Sequence, residues 1–359
     1  MAITASMVKE LREMTGAGMM DCKKALTETD GNMEAAVEVL KKSGAAKMEK
    51  KQSRIAAEGI TRVAVNGNAA AVVEVNSETD FVAKNEVFQE FVQKVVDTAL
   101  ASNLNGGKNG EDIEALLNTN GLNDLLVENT AKIGEKLSVR RFDKVTGDVV
   151  ATYIHGGGRI GVLVAANGTA NDATKEALTN VAMQVAAMNP EYIARTDISA
   201  AEIDKLREIT IDSALNAPDT LPKPILQKLL DRAVNEKKWS DADIAIYEEK
   251  KSNMNYLFNF LSDAAKPALA ELAFEEKADI VANKIFSGLV EGRISKQLKE
   301  TTLLEQVYVR AEDGKQTVGQ YLASVDKNLT IAKMVRFEVG EGMEKKNEDF
   351  AAEVAAQLG

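Results

Sequence analysis

Cysteine and histidine are almost missing from this sequence, since each occurs once in 359 residues. A lone cysteine excludes a disulfide within the chain and indicates a reducing compartment. With one histidine and one cysteine, neither a Cys/His metal site nor a Cys–His catalytic pair is expected. Metal binding or catalysis by cysteine and histidine is therefore not expected to carry the function of this chain.

Long apolar runs and an excess of positive charge are absent as well. No stretch reaches the roughly 18 apolar residues of a membrane span, and the N-terminus enters an amphipathic helix without a signal-peptide pattern. The 44 Lys and Arg against 55 Asp and Glu give a formal net charge of -11, which does not suit non-specific nucleic-acid binding. We expect a cytoplasmic protein of two or three domains, with no membrane and no direct nucleic acid among its partners.

The most distinctive pattern lies at residues 74–85, where a strand passes into a helix. Small and β-branched apolar residues at 71–75 predict the strand, and Asn85 begins a run with helical apolar spacing. The short loop between them contains Thr79, Asp80, Phe81 and Val82. In one interpretation Asp80 caps the next helix and Phe81 packs into the core. In the other, Phe81 points outward and anchors a partner.

The N-terminal residues 1–45 predict three short helices, the last of them ending at Gly44. So small a unit is only marginally stable by itself. Met19 and Met20 are adjacent and cannot easily both face its core, so we expect at least one of them on a contact surface. Residues 46–57 are basic and poor in apolar residues, which indicates a linker, helical or not.

An internal repeat occupies the centre of the chain. In the first copy, residues 58–145, two strands meet at an Asn-Gly-Asn turn, a helix follows, and a third strand comes later. In the second copy, residues 146–342, two strands flank three glycines (156–158), and residues 333–339 supply the third. Each copy has the order β-β-α…β. This order predicts an antiparallel three-stranded sheet with helices on one face, hence an α+β fold.

A long helical arm, about residues 199–300, is inserted in the second copy. Its aromatic residues either pack within the arm or form a partner or self-association surface, and internal packing is favoured. The chain ends in a predicted helical module, residues 343–359. The apolar residues of that module recur at a spacing of four, at Phe350, Val354 and Leu358.

The three glycines of the second copy resemble a phosphate-binding loop only superficially. They lack the following Lys-Ser/Thr and join two strands rather than a strand and a helix, so a hairpin turn is favoured. His155 precedes them without the partners that acid–base catalysis needs. A hydrogen bond that stabilises the turn, or a contact with a partner, is the favoured role of this histidine.

Two segments resemble the signature motifs of the elongation factor Ts family. They are EVNSETDFVAK at 74–84 and LREMTGAGMMDCKKAL at 11–26, and HGGGRIGVL at 155–163 matches a third motif with one additional glycine. Members of that family exchange the nucleotide on the translation GTPase elongation factor Tu. The resemblance implies a ubiquitin-associated-like domain at 1–45, two core subdomains and a helical arm. The arm is longer here than in the shorter members of the family, and its extra residues lie at about 216–274.

The resemblance also favours the second interpretation of Phe81, in which the ring points outward. In the family, the Thr-Asp-Phe-Val loop is pushed into the GTPase beside its magnesium site. The residues implied to bind the partner and displace magnesium are then Thr79, Asp80, Phe81 and Val82. The N-terminal domain would hold the partner through Arg12, Met19, Met20 and Lys23. Further candidates for partner contact are Ile133, Gly134 and His155.

The resulting prediction is a guanine nucleotide exchange factor for elongation factor Tu in its GDP-bound and nucleotide-free forms. It is not an enzyme and has no catalytic residue, no metal and no cofactor of its own. The resemblance implies that the C-terminal module reaches back to the GTPase, and it allows a higher-order complex with that partner. Two alternatives stay open. One is a scaffold without exchange activity, and the other is an enzyme that uses carboxylates such as Asp80 or Glu78.

Overall fold

Helices and antiparallel sheets both occur in the computed structural model, which describes residues 3–344. The chain divides into two compact units, of which the first combines Met1–Asn189 with Val307–Gly359 and the second is Pro190–Gln306. The predicted α+β class is confirmed. The predicted C-terminal module, residues 343–359, lies outside the described residues from position 345 onward, and so do its three apolar positions.

The helices and strands have the following bounds in chain order. The helices are α1 (Ala5–Thr15), α2 (Met19–Glu28), α3 (Met33–Lys51), α4 (Glu86–Ala101), α5 (Ile113–Leu117), α6 (Leu122–Ile133), α7 (Asp172–Met188), α8 (Ala200–Asn216), α9 (Lys223–Asn235), α10 (Asp241–Lys250), α11 (Met254–Leu257), α12 (Ala265–Glu275), α13 (Lys277–Ala282), α14 (Lys284–Thr301) and α15 (Val318–Val325). The strands are β1 (Glu58–Asn66), β2 (Ala69–Ser77), β3 (Gly106–Gly107), β4 (Ser138–Thr146), β5 (Val149–His155), β6 (Ile160–Asn167) and β7 (Thr330–Glu338).

The N-terminal helices α1, α2 and α3 surround a small apolar core. Thr4 caps α1 by accepting a hydrogen bond from the N–H of Met7, and Gly16 ends this helix in a left-handed conformation. The residues buried between the three helices are Val8, Leu11, Cys22, Ala25, Leu26 and Ala36. The single cysteine therefore serves as a small apolar core residue.

Helix α3 does not end at Gly44, as the sequence pattern predicts, but continues to Lys51. Gly44 is buried, and a Cβ atom at this position would lie 3.2 Å from Cγ1 of Val127 on α6. This glycine therefore permits a close approach of two helices rather than ending one of them. As a consequence, the helix crosses the predicted boundary at residue 45, and only residues 52–57 of the predicted linker separate α3 from β1.

The first sheet has the strand order β1-β2-β4-β3, and all neighbouring strands are antiparallel. The prediction of three strands misses the two-residue β3. Gly106 permits this fourth strand, because a Cβ atom there would lie 2.3 Å from the carbonyl oxygen of Phe142. Helices α4, α5 and α6 share an apolar core with one face of the sheet. Strand β2 ends at Ser77, opposite Glu58, so the candidate loop begins at the end of an inner strand of the sheet.

The second sheet has the order β5-β6-β7 and is also antiparallel. The glycines at 156–158 form a short 3-10 turn between β5 and β6, so their interpretation as a hairpin connection is confirmed. Helix α7 packs against β5 and β6, and α15 lies against α7. A capping box between Asn171 and Thr174 fixes the start of α7.

The two sheets pack against each other, and each sheet has helices on its other face. The side chains between the sheets are Ala70, Val72, Val145, Leu163, Ala165, Val335 and Phe337. Along β2, Ala70 and Val72 face the second sheet, whereas Ala71, Val73 and Val75 face the helices. This strand is buried on both faces, which makes it a rigid support for the loop that follows it.

Gly161 of β6 gives a test of this packing. A Cβ atom there would lie 2.9 Å from Oγ1 of Thr61 and from Cγ2 of Val72, both in the first sheet. We expect Gly161→Val to lower the free energy of unfolding by about 1–3 kcal/mol, because the added side chain overpacks the space between the sheets. Urea unfolding followed by circular dichroism measures this loss. In α14, Gly292→Ala is the control, since nothing lies near its missing Cβ, and an equal loss in both variants would contradict the prediction.

The second unit is helical and has its own apolar core, and α8 to α14 occupy most of the predicted arm. Trp239 is buried in this core, donates its Nε1–H to a backbone carbonyl of α12 at 2.9 Å and meets the ring of Tyr247 edge-on. Internal packing is thus confirmed for these two aromatic residues. Tyr256 and Phe260 are exposed instead, and Nζ of Lys250 lies 4.2 Å from the ring centroid of Phe260. Between residues 3 and 344, no helix combines the length and the apolar character that crossing a membrane requires.

Candidate functional site

The loop between β2 and α4 presents one aromatic side chain to solvent. Phe81 is 79% exposed, and Asp80 beside it is exposed as well, whereas Val82 is buried in the core of the first sheet. The interpretation in which Phe81 packs into the core is therefore wrong. Asp80 does not cap α4 either, because Oδ1 of Asn85 accepts the hydrogen bonds from the first N–H groups of that helix. An exposed large aromatic on a short connection is a typical contact residue.

The segment after Phe81 is held by local hydrogen bonds. Residues 82–84 form a 3-10 turn, in which the N–H of Lys84 donates to the carbonyl of Phe81 and the N–H of Asn85 donates to that of Val82. The side-chain amide of Gln89 also donates to the carbonyl of Ala83 at 3.1 Å. Together with the burial of Val82, these bonds fix the backbone on the C-terminal side of the exposed ring.

On the N-terminal side, two loop residues exchange hydrogen bonds with two residues that follow α6. The carboxylate of Glu135 accepts the N–H of Thr79 at 2.9 Å and its Oγ1–H at 2.6 Å. In return, the carboxylate of Glu78 accepts the N–H of Lys136 at 2.5 Å. We call Glu78, Thr79, Glu135 and Lys136 the clamp. Glu135 is not among the residues predicted from the sequence, although it directly follows the candidate residues Ile133 and Gly134.

The clamp is also tied to the segment that follows α3. Arg54 donates to both carboxylate oxygens of Glu78 at 3.2 and 3.3 Å. The ammonium group of Lys136 donates to the backbone carbonyls of Gln52 and Arg54, and that of Lys51 donates to the carbonyl of Gly134. Burial, reinforced by the charge of Arg54, lowers the pKa of the Lys51 ammonium. The loop, the end of α3 and the end of α6 therefore form one connected region.

The N-terminal candidates form a separate surface on α1 and α2. Met19 and Met20 are 59% and 74% exposed, and Arg12 and Lys23 are exposed too. Both methionines therefore lie outside the small N-terminal core, which goes beyond the expectation that at least one would. Within the described part of the chain, no hydrogen bond or ion pair joins these four residues to the loop at 79–82. The helices that carry these four residues and the loop at 79–82 pack on different apolar cores.

His155 lies at the end of β5 and is exposed. Its Nδ1 is 3.3 Å from the hydroxyl oxygen of Tyr153, so its hydrogen-bonding partner lies on its own strand. The glycine turn that follows it is anchored elsewhere, since the carbonyl of Gly158 accepts the hydroxyl of Thr61 at 2.8 Å. No hydrogen bond places His155 beside Phe81 among the residues that the structure describes. The histidine belongs to the second sheet, and the aromatic loop belongs to the first.

A buried charge cluster that is not predicted from the sequence supports the strand from which the loop emerges. Glu74 of β2 is completely buried, and its carboxylate accepts from Nε of Arg141 at 2.6 Å and from Nη1 of Arg140 at 2.9 Å. It also accepts the backbone N–H of Gly340, after β7, at 2.9 Å. The guanidinium of Arg141 stacks 4.3 Å above the ring of Phe337. One carboxylate therefore joins both sheets of the first unit.

The loop carboxylates have different surroundings. Glu78 is engaged with Arg54 and Lys136, whereas the side chain of Asp80 accepts no hydrogen bond from any residue in the described range 3–344. No group of three or more His, Cys, Asp or Glu side chains within that range could hold a metal ion. The arrangement is suited to binding, because a free carboxylate and an aromatic ring stand together on a rigid backbone.

Comparisons with known proteins agree with the motifs at this loop. A family model described as "Elongation factor TS" matches residues 78–341 of the chain. A curated relative, "Elongation factor Ts" of Clostridioides difficile (strain 630), is 42% identical over 367 aligned positions, which cover 99% of each protein. The chain is therefore similar to this relative over its whole length, including the loop and both sheets.

Proposed function

This chain belongs to the elongation factor Ts family, and we propose how it acts as a nucleotide-exchange factor in translation. We propose that it binds elongation factor Tu in the GDP-bound form, displaces magnesium from the nucleotide site and promotes release of GDP, so that GTP can bind. The single observation that carries this proposal is the exposed ring of Phe81, held between two fixed backbone segments. The protein works in the cytoplasm, without direct contact with nucleic acid or membrane.

The exchange needs no bond-making chemistry on this chain. A factor that binds the nucleotide-free partner more tightly than the GDP-bound partner must, by linkage, weaken GDP binding by the same ratio. A rigid contact element suits this task, since its binding energy is not spent on ordering a loop. We propose that Asp80 and Phe81 enter between helices of the partner and shift the ligands of its magnesium ion. Loss of the ion then weakens the phosphate contacts, and GDP dissociates.

The remaining candidate residues hold the partner in place. Met19 and Met20, with Arg12 and Lys23 nearby, offer an exposed surface of flexible thioethers and positive charges to the nucleotide domain of the partner. Ile133 and Gly134 lie next to the clamp and therefore contact the same region of the partner as the loop. His155, on the second sheet, and the C-terminal module at 343–359 contact a different part of it.

A release experiment tests the proposal directly. Elongation factor Tu loaded with a fluorescent GDP analogue is mixed with an excess of unlabelled GDP in a stopped-flow instrument, with increasing concentrations of this protein. We expect the release rate to rise with the concentration of the protein and to saturate. A release rate that does not respond to the protein at any concentration, although the two proteins bind each other, would favour a scaffold and contradict the proposal.

The exposed methionines give a second test. We expect the double variant Met19→Ser/Met20→Ser to raise the concentration needed for half-maximal release by roughly 10- to 100-fold, because each buried Met side chain contributes about 1.5–3 kcal/mol to a contact and contributions overlap. The maximal release rate should stay near that of the unaltered protein, since the loop is intact. Glu28→Ser on the same helix is the control. An unchanged half-maximal concentration in the double variant would remove this surface from the interface.

A further inference from the structure

We propose that Glu135 is a positioning residue that holds the loop at 79–82 in its binding conformation before a partner arrives. The inference rests on the proposed function and adds a residue to it, because the loop itself does not contain the group that fixes its N-terminal side. Three features of the molecule support this role: the hydrogen bonds of the clamp, the turn that brings Glu135 to the loop, and the free state of Asp80 and Phe81.

The first step concerns the bonds between Glu135 and Thr79. Both carboxylate oxygens are used, one for the backbone N–H of Thr79 at 2.9 Å and one for its hydroxyl at 2.6 Å. Hydrogen bonds to an ionised acceptor are about twice as strong as neutral ones, and a two-point contact fixes orientation as well as distance. Within the described part of the chain, Glu135 forms no ion pair that would compete for these oxygens.

The second step explains why Glu135 reaches the loop. Helix α6 ends at Ile133, and Gly134 adopts a left-handed conformation with φ of 86°. Its N–H still donates to the carbonyl of Thr130, so the turn is a helix C-cap that redirects the chain. The next two residues then face the loop, and the N–H of Lys136 donates to Glu78. The loop therefore donates hydrogen bonds to Glu135, and the segment after α6 donates one back to Glu78.

The third step is the consequence for the exposed residues. The clamp fixes residues 78 and 79, and the buried Val82 with the 3-10 turn fixes the residues that follow. Only Asp80 and Phe81 remain between the two fixed segments. Without the clamp, the loop would sample other conformations, and the apparent affinity would fall in proportion to the fraction of molecules in the binding-competent state. The rate of GDP release from the bound complex would be unchanged once the loop has reached its binding conformation.

The test compares Glu135→Ala with the unaltered full-length protein in the GDP-release experiment. We expect the half-maximal concentration to rise about 10-fold while the maximal release rate changes less than about twofold, because positioning affects the competent fraction only. Thr79→Val, which keeps the backbone bond and loses the hydroxyl bond, should raise the half-maximal concentration by a smaller factor. The double variant should be no worse than Glu135→Ala. Glu114→Ala on α5, an exposed glutamate of the same subdomain, is the matched control.

Hydrogen exchange in the free protein separates positioning from direct contact with the partner. If Glu135 holds the loop, Glu135→Ala accelerates amide exchange in residues 79–84 of the free protein and leaves the strands of the first sheet unchanged. Unchanged exchange there, or additive effects of Glu135→Ala and Thr79→Val on the half-maximal concentration, would overturn the inference. Normal release with Glu135→Ala and defective release with Phe81→Ala would overturn only this inference, whereas normal release with both variants would overturn the proposed function too.

Discussion

Replacing Phe81 with alanine is expected to lower the maximal rate of GDP release from elongation factor Tu by roughly 100-fold. The ring is the largest exposed apolar group of the loop, and a central aromatic anchor of an interface contributes about 2–4 kcal/mol. In our proposal, this energy is used to move groups around the magnesium ion rather than to bind alone. Truncation should therefore reduce the saturated rate, and not only the affinity.

The same substitution should leave the fold intact. Because Phe81 is 79% exposed, its removal should change the free energy of unfolding by no more than about 0.5 kcal/mol. Stopped-flow release at saturating concentrations measures the rate, and thermal unfolding checks the fold.

Phe260→Ala is the matched control for Phe81→Ala, since it also removes an exposed phenylalanine, but one that lies in the second unit. Phe81→Leu should retain part of the activity, because it keeps an apolar group of lesser size. If the saturated release rate with Phe81→Ala equals that of the unaltered protein, the ring does not act on the nucleotide site.

Replacing Glu74 with alanine should destabilise the first unit by about 3–5 kcal/mol, as is usual when one partner of a buried ion pair is removed. Arg141 is almost fully buried and would lose its closest carboxylate, and the N–H of Gly340 would lose its acceptor. Arg140 would lose a bond as well. The lost attraction is only part of the loss of stability, because the buried cation and the donors left without an acceptor also cost free energy.

Two optical signals separate this loss from global effects. Trp239, the only tryptophan, lies in the second unit, so its fluorescence reports on the arm. Far-ultraviolet circular dichroism reports on both units. We expect Glu74→Ala to shift the urea midpoint of the dichroism signal to lower concentration, while the fluorescence midpoint moves less.

The control and the compensating variant sharpen this prediction. Glu13→Ala removes an exposed ion pair with Lys9 on α1, and such pairs contribute about 0–1 kcal/mol. Glu74→Ala combined with Arg141→Leu should recover part of the stability, because the unpaired buried cation is then gone. A loss for Glu74→Ala no larger than that for Glu13→Ala would mean that the cluster does not hold the two sheets together.

Local patterns predicted most helices and strands well, because the apolar residues of these elements are buried at regular spacings. The strand that precedes the loop follows from its β-branched residues, and the hairpin at 156–158 follows from its position between two strands. The end of α3 was predicted wrongly at Gly44, because a glycine in a helix has two uses. A glycine can end a helix, or it can permit close contact where a second helix packs against it. At Gly44 the second case holds, because Val127 of α6 lies close to its backbone.

The candidate site was predictable in part. The motif identified Thr79, Asp80, Phe81 and Val82 as a unit, but the residues alone allowed Phe81 to be either buried or exposed. In the folded protein, Val82 of the loop and Phe88 and Phe91 of α4 are buried in the core of the first sheet, whereas Phe81 is exposed. A pattern of residue types does not show which of these neighbouring side chains is buried, because packing in the folded state decides it.

The α+β class, the family and the residues that carry its motifs followed from the sequence alone, because these depend on the order of neighbouring residue types. The exposure of Phe81, the bond of Glu135 to Thr79 across 56 positions and the bond of Glu74 to Gly340 across 266 positions became apparent only in the folded chain. The physical reason is that a carboxylate acquires its role from the donors that folding brings within hydrogen-bond distance, and those donors are not its neighbours along the chain.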